Sequence, residues 1–189
     1  MVASCLAALI VTSGCRQRPA PNAVAASPAS AKISSTAAAN HRFPTIMMDV
    51  RAINPKLIPA AETNLDDKQI VIGVEIDGEA RAYLRDAFDD PQKHLVCDKV
   101  ADVPIAVTHC DRSRCTRVFT QEDPSLPFDI RIGGWRSDDT MELVVNETRY
   151  SQKADNVPLK SLPFVEMTWE QWRRLYPDSL IYVGQQLMN

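Results

Sequence analysis

Gln69-Ile70-Val71-Ile72-Gly73-Val74-Glu75-Ile76-Asp77-Gly78-Glu79-Ala80-Arg81-Ala82-Tyr83 is the stretch whose reading decides the fold class. Ile70, Ile72, Val74 and Ile76 alternate with Val71, Gly73 and Glu75, the period of two that puts one side of a strand against a core. Asp77-Gly78 then supplies a two-residue turn that tolerates positive φ, and Glu79 to Tyr83 returns. The stretch predicts a β-hairpin with a type I′ turn.

Further strands follow downstream. Val103–Cys110 and Cys115–Gln121 form a predicted pair around the loop Asp111–Arg114. Phe128–Ile132 and Met141–Val145 form another, separated by turn residues at Gly133, Gly134, Ser137, Asp138 and Asp139. Leu180–Val183 is a last strand. One helix is predicted, starting after Thr168: Thr168-Trp169-Glu170-Gln171 has the spacing of a capping box, and Pro177 ends the run. Trp169, Trp172 and Tyr176 recur at helical spacing and are read as core packing rather than a ligand stack. The expected class is α+β and strand-rich, built from antiparallel hairpins with one C-terminal helix.

Upstream the composition changes. Val2 to Gly14 is apolar or small and uncharged, the pattern of a signal-peptide core rather than a spanning helix. Ser13-Gly14-Cys15 closes it as a lipoprotein signal would, so residues 1–15 are read as a signal and Cys15 as the lipidation site. Residues 16–40 are rich in Ala, Ser and Pro. They bury too little to offset the entropy of ordering, and are read as a flexible tether. A single globular domain is expected over 41–189. These readings place the protein in the periplasm or cell envelope, with the membrane as a partner through the N-terminal anchor. The net charge of -3 and pI of about 5.6 exclude a general affinity for nucleic acid. Arg112, Arg114 and Arg117 are read as a solvated strand face.

The segment His94–Cys115 holds two of the 3 histidines and three of the 5 cysteines. Three readings of it stand side by side. Cys110 and Cys115, opposite each other at a hairpin mouth, lie within disulfide reach, because paired strand positions are about 4.5–5.5 Å apart at Cα. Alternatively His94, Cys97, Cys110 and Cys115 form a redox or metal site suited to zinc or copper(I), with His94 and Cys97 spaced for a turn or helix. His109 is left out of that quartet because neighbours on a strand face opposite ways. In the third reading these are buried thiols and satisfied imidazoles with no chemistry. His109, Ser151 and Gln152 are a candidate pocket lining. No phosphate-binding glycine loop or nucleophile elbow is present.

Several stretches together resemble a known family. Ile53-Asn54-Pro55-Lys56 is followed by the hairpin, His94-Leu95-Val96-Cys97-Asp98, Pro104-Ile105-Ala106-Val107-Thr108-His109-Cys110, Tyr150-Ser151-Gln152 and Leu162-Pro163 with Thr168-Trp169-Glu170-Gln171-Trp172. In this order they resemble the bacterial and archaeal domain-of-unknown-function family 3179, from about residue 53 to 184. The resemblance implies a domain, frequent export and no reaction. It matches His94 and Cys110 to family positions. Ser113 stands where the family's second cysteine falls, Cys115 comes two residues later, His109 replaces a tyrosine and Cys97 an asparagine. Tyr83-Leu84-Arg85 lacks the family's proline. The functional expectation is a tethered envelope domain with a ligand- or partner-binding role, the alternative being the redox or metal protein. Whether it is an enzyme is left open.

Overall fold

The computed structural model describes residues 52–123 and 128–184. The predicted signal, the Cys15 lipidation site, the tether and the first residues of the domain lie outside the described residues. In chain order the strands are β1 (Ala52–Ile53), β2 (Ile58–Pro59), β3 (Ile70–Ile76), β4 (Glu79–Leu84), β5 (Leu95–Val100), β6 (Val103–Cys110) and β7 (Cys115–Thr120). They continue as β8 (Ile130–Trp135), β9 (Met141–Val145), β10 (Thr148–Ser151), β11 (Lys160–Leu162) and β12 (Val165–Thr168). The helix α1 (Trp169–Leu175) and β13 (Leu180–Tyr182) follow.

The strands form three sheets, ordered β1-β5-β6-β7-β11, β10-β9-β8 and β12-β3-β4-β13-β2. Neighbours are antiparallel except β1 with β5 and β13 with β4. The architecture is strand-rich, with one α-helix among the described residues, close to the C-terminus.

Side-chain alternation shows how the sheets stack. In β6, Ile105 and Val107 pack with Ile72, Val74, Tyr83 and Tyr182 of the β3–β4 sheet. Ala106 and Cys110 pack on the other side, with Ile130, Ile132, Met141 and Leu143 of the β8–β9 sheet. The β5–β6–β7 sheet is therefore the middle layer, covered on both faces. Outside the β3–β4 sheet, α1 closes a third cluster through Trp169, Trp172, Val71, Ala82 and Ile181. Gly73 has no side chain because Trp172 occupies that space: a Cβ there would lie 2.0 Å from the indole.

Local chemistry explains the elements. The Asp77-Gly78 turn has both residues at positive φ, and Ile76 pairs with Glu79 across it. The Thr168 hydroxyl accepts the Gln171 N–H, and the Gln171 side chain accepts the Thr168 N–H, completing the capping box. Two further tight turns carry less typical residues, Ala101-Asp102 and Asn146-Glu147, all at positive φ. They close β5–β6 and β9–β10, hairpins that the residue types do not announce.

Two expectations are corrected. Leu95–Val100 is a strand, where the spacing of His94 and Cys97 suggested a turn or helix. The stretch lacks alternation because its sheet is buried on both faces, which removes the period-two signal. The solvated arginine face fails at Arg117. It is half-buried, donates to the carbonyls of Gln152 and Ala154 at 2.9 and 2.6 Å, and lies over Phe119. Its stem covers apolar surface while its head ties down the 152–154 turn.

Candidate functional site

The loop Asp111–Arg114 joins β6 to β7 and turns back over the end of the middle sheet. His94 sits at the matching end of β5. Its backbone carbonyl accepts the His109 N–H at 3.2 Å, which fixes its height beside the end of β6. One donor atom from each of His94, Cys110 and Asp111 lies within 4.8 Å of the other two. His94 Nε2 and Asp111 Oδ1 are 3.1 Å apart. An ionised carboxylate only accepts, so Nε2 carries hydrogen here. The other ring nitrogen, Nδ1, is buried and has no hydrogen-bond partner among the described residues. His94 and Cys110 are fully buried, and Asp111 reaches solvent.

Trp135 closes the cluster, its ring edge-on to His94 at 5.4 Å between centroids. The Arg112 guanidinium lies over the same indole at 5.0 Å. Beneath the loop, Ser113 donates its backbone N–H toward Cys110 Sγ at 3.5 Å.

The expected Cys110–Cys115 disulfide is not formed. The two residues are cross-strand partners, as a hairpin mouth requires, yet Cys110 is a free thiol. Register sets the backbones opposite each other, but the Cys110 side chain is held by the loop, where Sγ meets the Ser113 N–H and the His94–Asp111 pair. Cys97 stands apart from the cluster. It pairs with Ala106, four residues before Cys110 on β6, a separation of roughly 13 Å along a strand. Of the quartet His94, Cys97, Cys110 and Cys115, the fold brings together His94 and Cys110. It adds Asp111, which the sequence shows only as one loop acid among many.

The pocket lining read as His109, Ser151 and Gln152 is divided by the middle sheet. Gln152 is buried on the Cys110 side, where its amide donates to Thr108 Oγ1 at 3.0 Å and to the Cys115 carbonyl at 3.1 Å. Ser151 makes turn contacts, accepting the Lys153 N–H at 3.3 Å. His109 faces the other way, against Phe88. Its Nδ1 lies 2.8 Å from Thr116 Oγ1, and Thr116 donates onward to Glu166. A hydroxyl has one hydrogen, so Thr116 accepts from His109 and the imidazole carries its hydrogen on Nδ1. Burial pushes His109 below its ordinary value, against the opposing pull of Glu166.

The fold and this cluster define a layered β protein with a thiol–imidazole–carboxylate site at one end of its middle sheet. A family model described as "Protein of unknown function (DUF3179)" matches residues 41–186, and the chain belongs to that family. No curated protein and no solved structure matches the chain.

Proposed function

We propose that this chain is a cell-envelope domain, tethered at its N-terminus, that binds a divalent metal ion of the zinc type through His94, Cys110 and Asp111. One observation carries the metal reading: three residues from two loops and a strand end bring a nitrogen, a sulfur and an oxygen donor within 4.8 Å of one another. Zinc takes these donor types, with bonds of about 2.0–2.3 Å that set ligands about 3.3–3.8 Å apart. The His94 Nε2–Asp111 separation of 3.1 Å is already close to that spacing, and coordination through Nε2 would move the ring hydrogen to Nδ1. A carboxylate is a poor partner for copper(I), which favours all-soft sets, so Asp111 favours zinc over copper. Three protein ligands leave a fourth position for a small ligand, in keeping with a ligand-binding role.

Thiol redox chemistry is less well supported, because Cys110 is fully buried and a reactive thiol needs access. The envelope location draws on the apolar run Val2–Gly14 and on Ser13-Gly14-Cys15. Among the described residues no helix is long and apolar enough to cross a membrane. The proposed attachment is the acyl chain on Cys15.

Metal analysis of the purified full chain tests the reading. We expect about one zinc per chain. Cys110→Ser should weaken zinc by more than the roughly 100-fold that an outer-sphere change costs, and Cys97→Ser should leave it unchanged. A protein that takes up no zinc, or takes it up equally after Cys110→Ser, overturns the site. Labelling with a radioactive fatty acid tests the tether, with Cys15→Ala expected to lose the label and leave the membrane fraction.

A further inference from the structure

We infer that the open position of this metal site takes a small monoanionic carboxylate; the inference rests on the metal reading above. The groups around the cluster are hydrogen-bond donors that lack acceptors. Ser113 touches one ligand through its N–H on Cys110 Sγ, and Trp135 touches another through its ring on His94. The Ser113 hydroxyl and the Trp135 indole N–H are both buried with no partner among the described residues. An indole N–H can only donate, and a buried donor left without an acceptor costs about 1–3 kcal/mol. A ligand that brings acceptor oxygens removes that cost.

Charge narrows the class. A divalent ion, a Cys110 thiolate, an Asp111 carboxylate and a neutral imidazole sum to zero. The cation stacked on the closing indole is Arg112, half-exposed and loosely paired with Asp139 at 3.6 Å. One negative charge on the ligand is thus matched and two are not: on the turn after Trp135, Asp138 is offset by Arg136 at 4.0 Å, and Asp139 opposes a second. A carboxylate has the right valence. One oxygen completes the coordination, and the other accepts from the donors around it.

Cobalt(II) substituted for zinc in the full chain reports the site by its thiolate charge-transfer and ligand-field absorption. Acetate is titrated into this protein and compared with inorganic phosphate. Acetate should shift the ligand-field bands saturably, and phosphate should not. Arg112→Gln, on the exposed side, should weaken acetate about tenfold while cobalt stoichiometry holds, and Ser113→Ala should act in the same direction. A thiolate–cobalt band that acetate leaves unmoved, or that phosphate shifts equally, overturns the carboxylate inference alone. So does acetate affinity unchanged in both variants. Absence of any thiolate–cobalt band overturns the metal reading and this inference with it.

Discussion

The two faces of the middle sheet do different work. Toward the β3–β4 sheet, most charged groups are matched to partners across the interface, although Arg81 Nε and His109 Nε2 are buried without a partner among the described residues. Asp98 of β5 accepts from Arg81 at 2.9 Å and from Tyr83 at 2.8 Å, and Glu79 caps the Ala101 N–H at 2.9 Å. Even His109, a histidine among apolar neighbours, has one nitrogen secured by Thr116. Toward the β8–β9 sheet, at the same end of β6, His94, Ser113 and Trp135 each keep a buried polar atom without a partner. Buried polar groups are ordinarily satisfied, and the three unpaired ones around His94, Cys110 and Asp111 are what the proposed metal site would use. Cys110 and His109 are neighbours in sequence, and strand alternation assigns one to each role.

The comparison can be broken at several points. The largest stability loss is expected for Asp98→Ala. It leaves the Tyr83 hydroxyl buried without its acceptor and the Arg81 guanidinium with Glu79 alone, at about 3 kcal/mol. Urea unfolding measures it, and whatever protein still folds should bind zinc as before. If instead zinc binding falls while stability holds, the division of labour between the two faces is wrong.

Gly73→Ala comes next. The new methyl meets Trp172 in a position that neither can leave, since the indole N–H is tied to Ser179 at 2.9 Å. Overpacking of this kind costs about 1–3 kcal/mol, read as a lower unfolding midpoint with zinc stoichiometry unchanged. By contrast, Cys110→Ser should lose metal with a smaller stability cost in the metal-free protein.

The smallest effect is a pH dependence far from the site. Tyr176 donates to Glu75 at 2.6 Å, and that bond, with partial burial, holds the phenol up to about 12. The unfolded phenol ionises near its ordinary value of 10.0. Between these values the unfolded chain has released a proton that the folded chain retains. The contribution is therefore full below pH 10 and is lost as pH rises toward 12. Tyr176→Phe should flatten the fall in unfolding midpoint across that alkaline window. An unchanged alkaline slope would show that the Glu75 bond contributes nothing to folding.

Much of the scaffold was legible from residues alone. The hairpin of β3 and β4 could be read from alternation and Asp-Gly. β6 and β9 appear over Val103–Cys110 and Met141–Val145, as their apolar runs predict. The helix is legible from Thr168 and Gln171, because capping is settled within one turn of chain. Strand β5 was not legible, since a strand buried on both faces has no polar alternation to show. The Ala101-Asp102 turn hid the hairpin that β5 forms with β6, because alanine rarely adopts positive φ.

The candidate site divides along the same line. The sequence by itself determined that thiols and imidazoles gather between His94 and Cys115, and that His109 and Cys110 face opposite ways. Only the tertiary structure decided which of them meet. The register of β5 on β6 carries Cys97 to the level of Ala106, far from Cys110. The same register sets His94 beside the strand end, where the returning loop delivers Asp111. These are contacts between residues 9, 15 and 17 apart in sequence, set by strand pairing and by the burial of both sheet faces. No local preference of the chain encodes them.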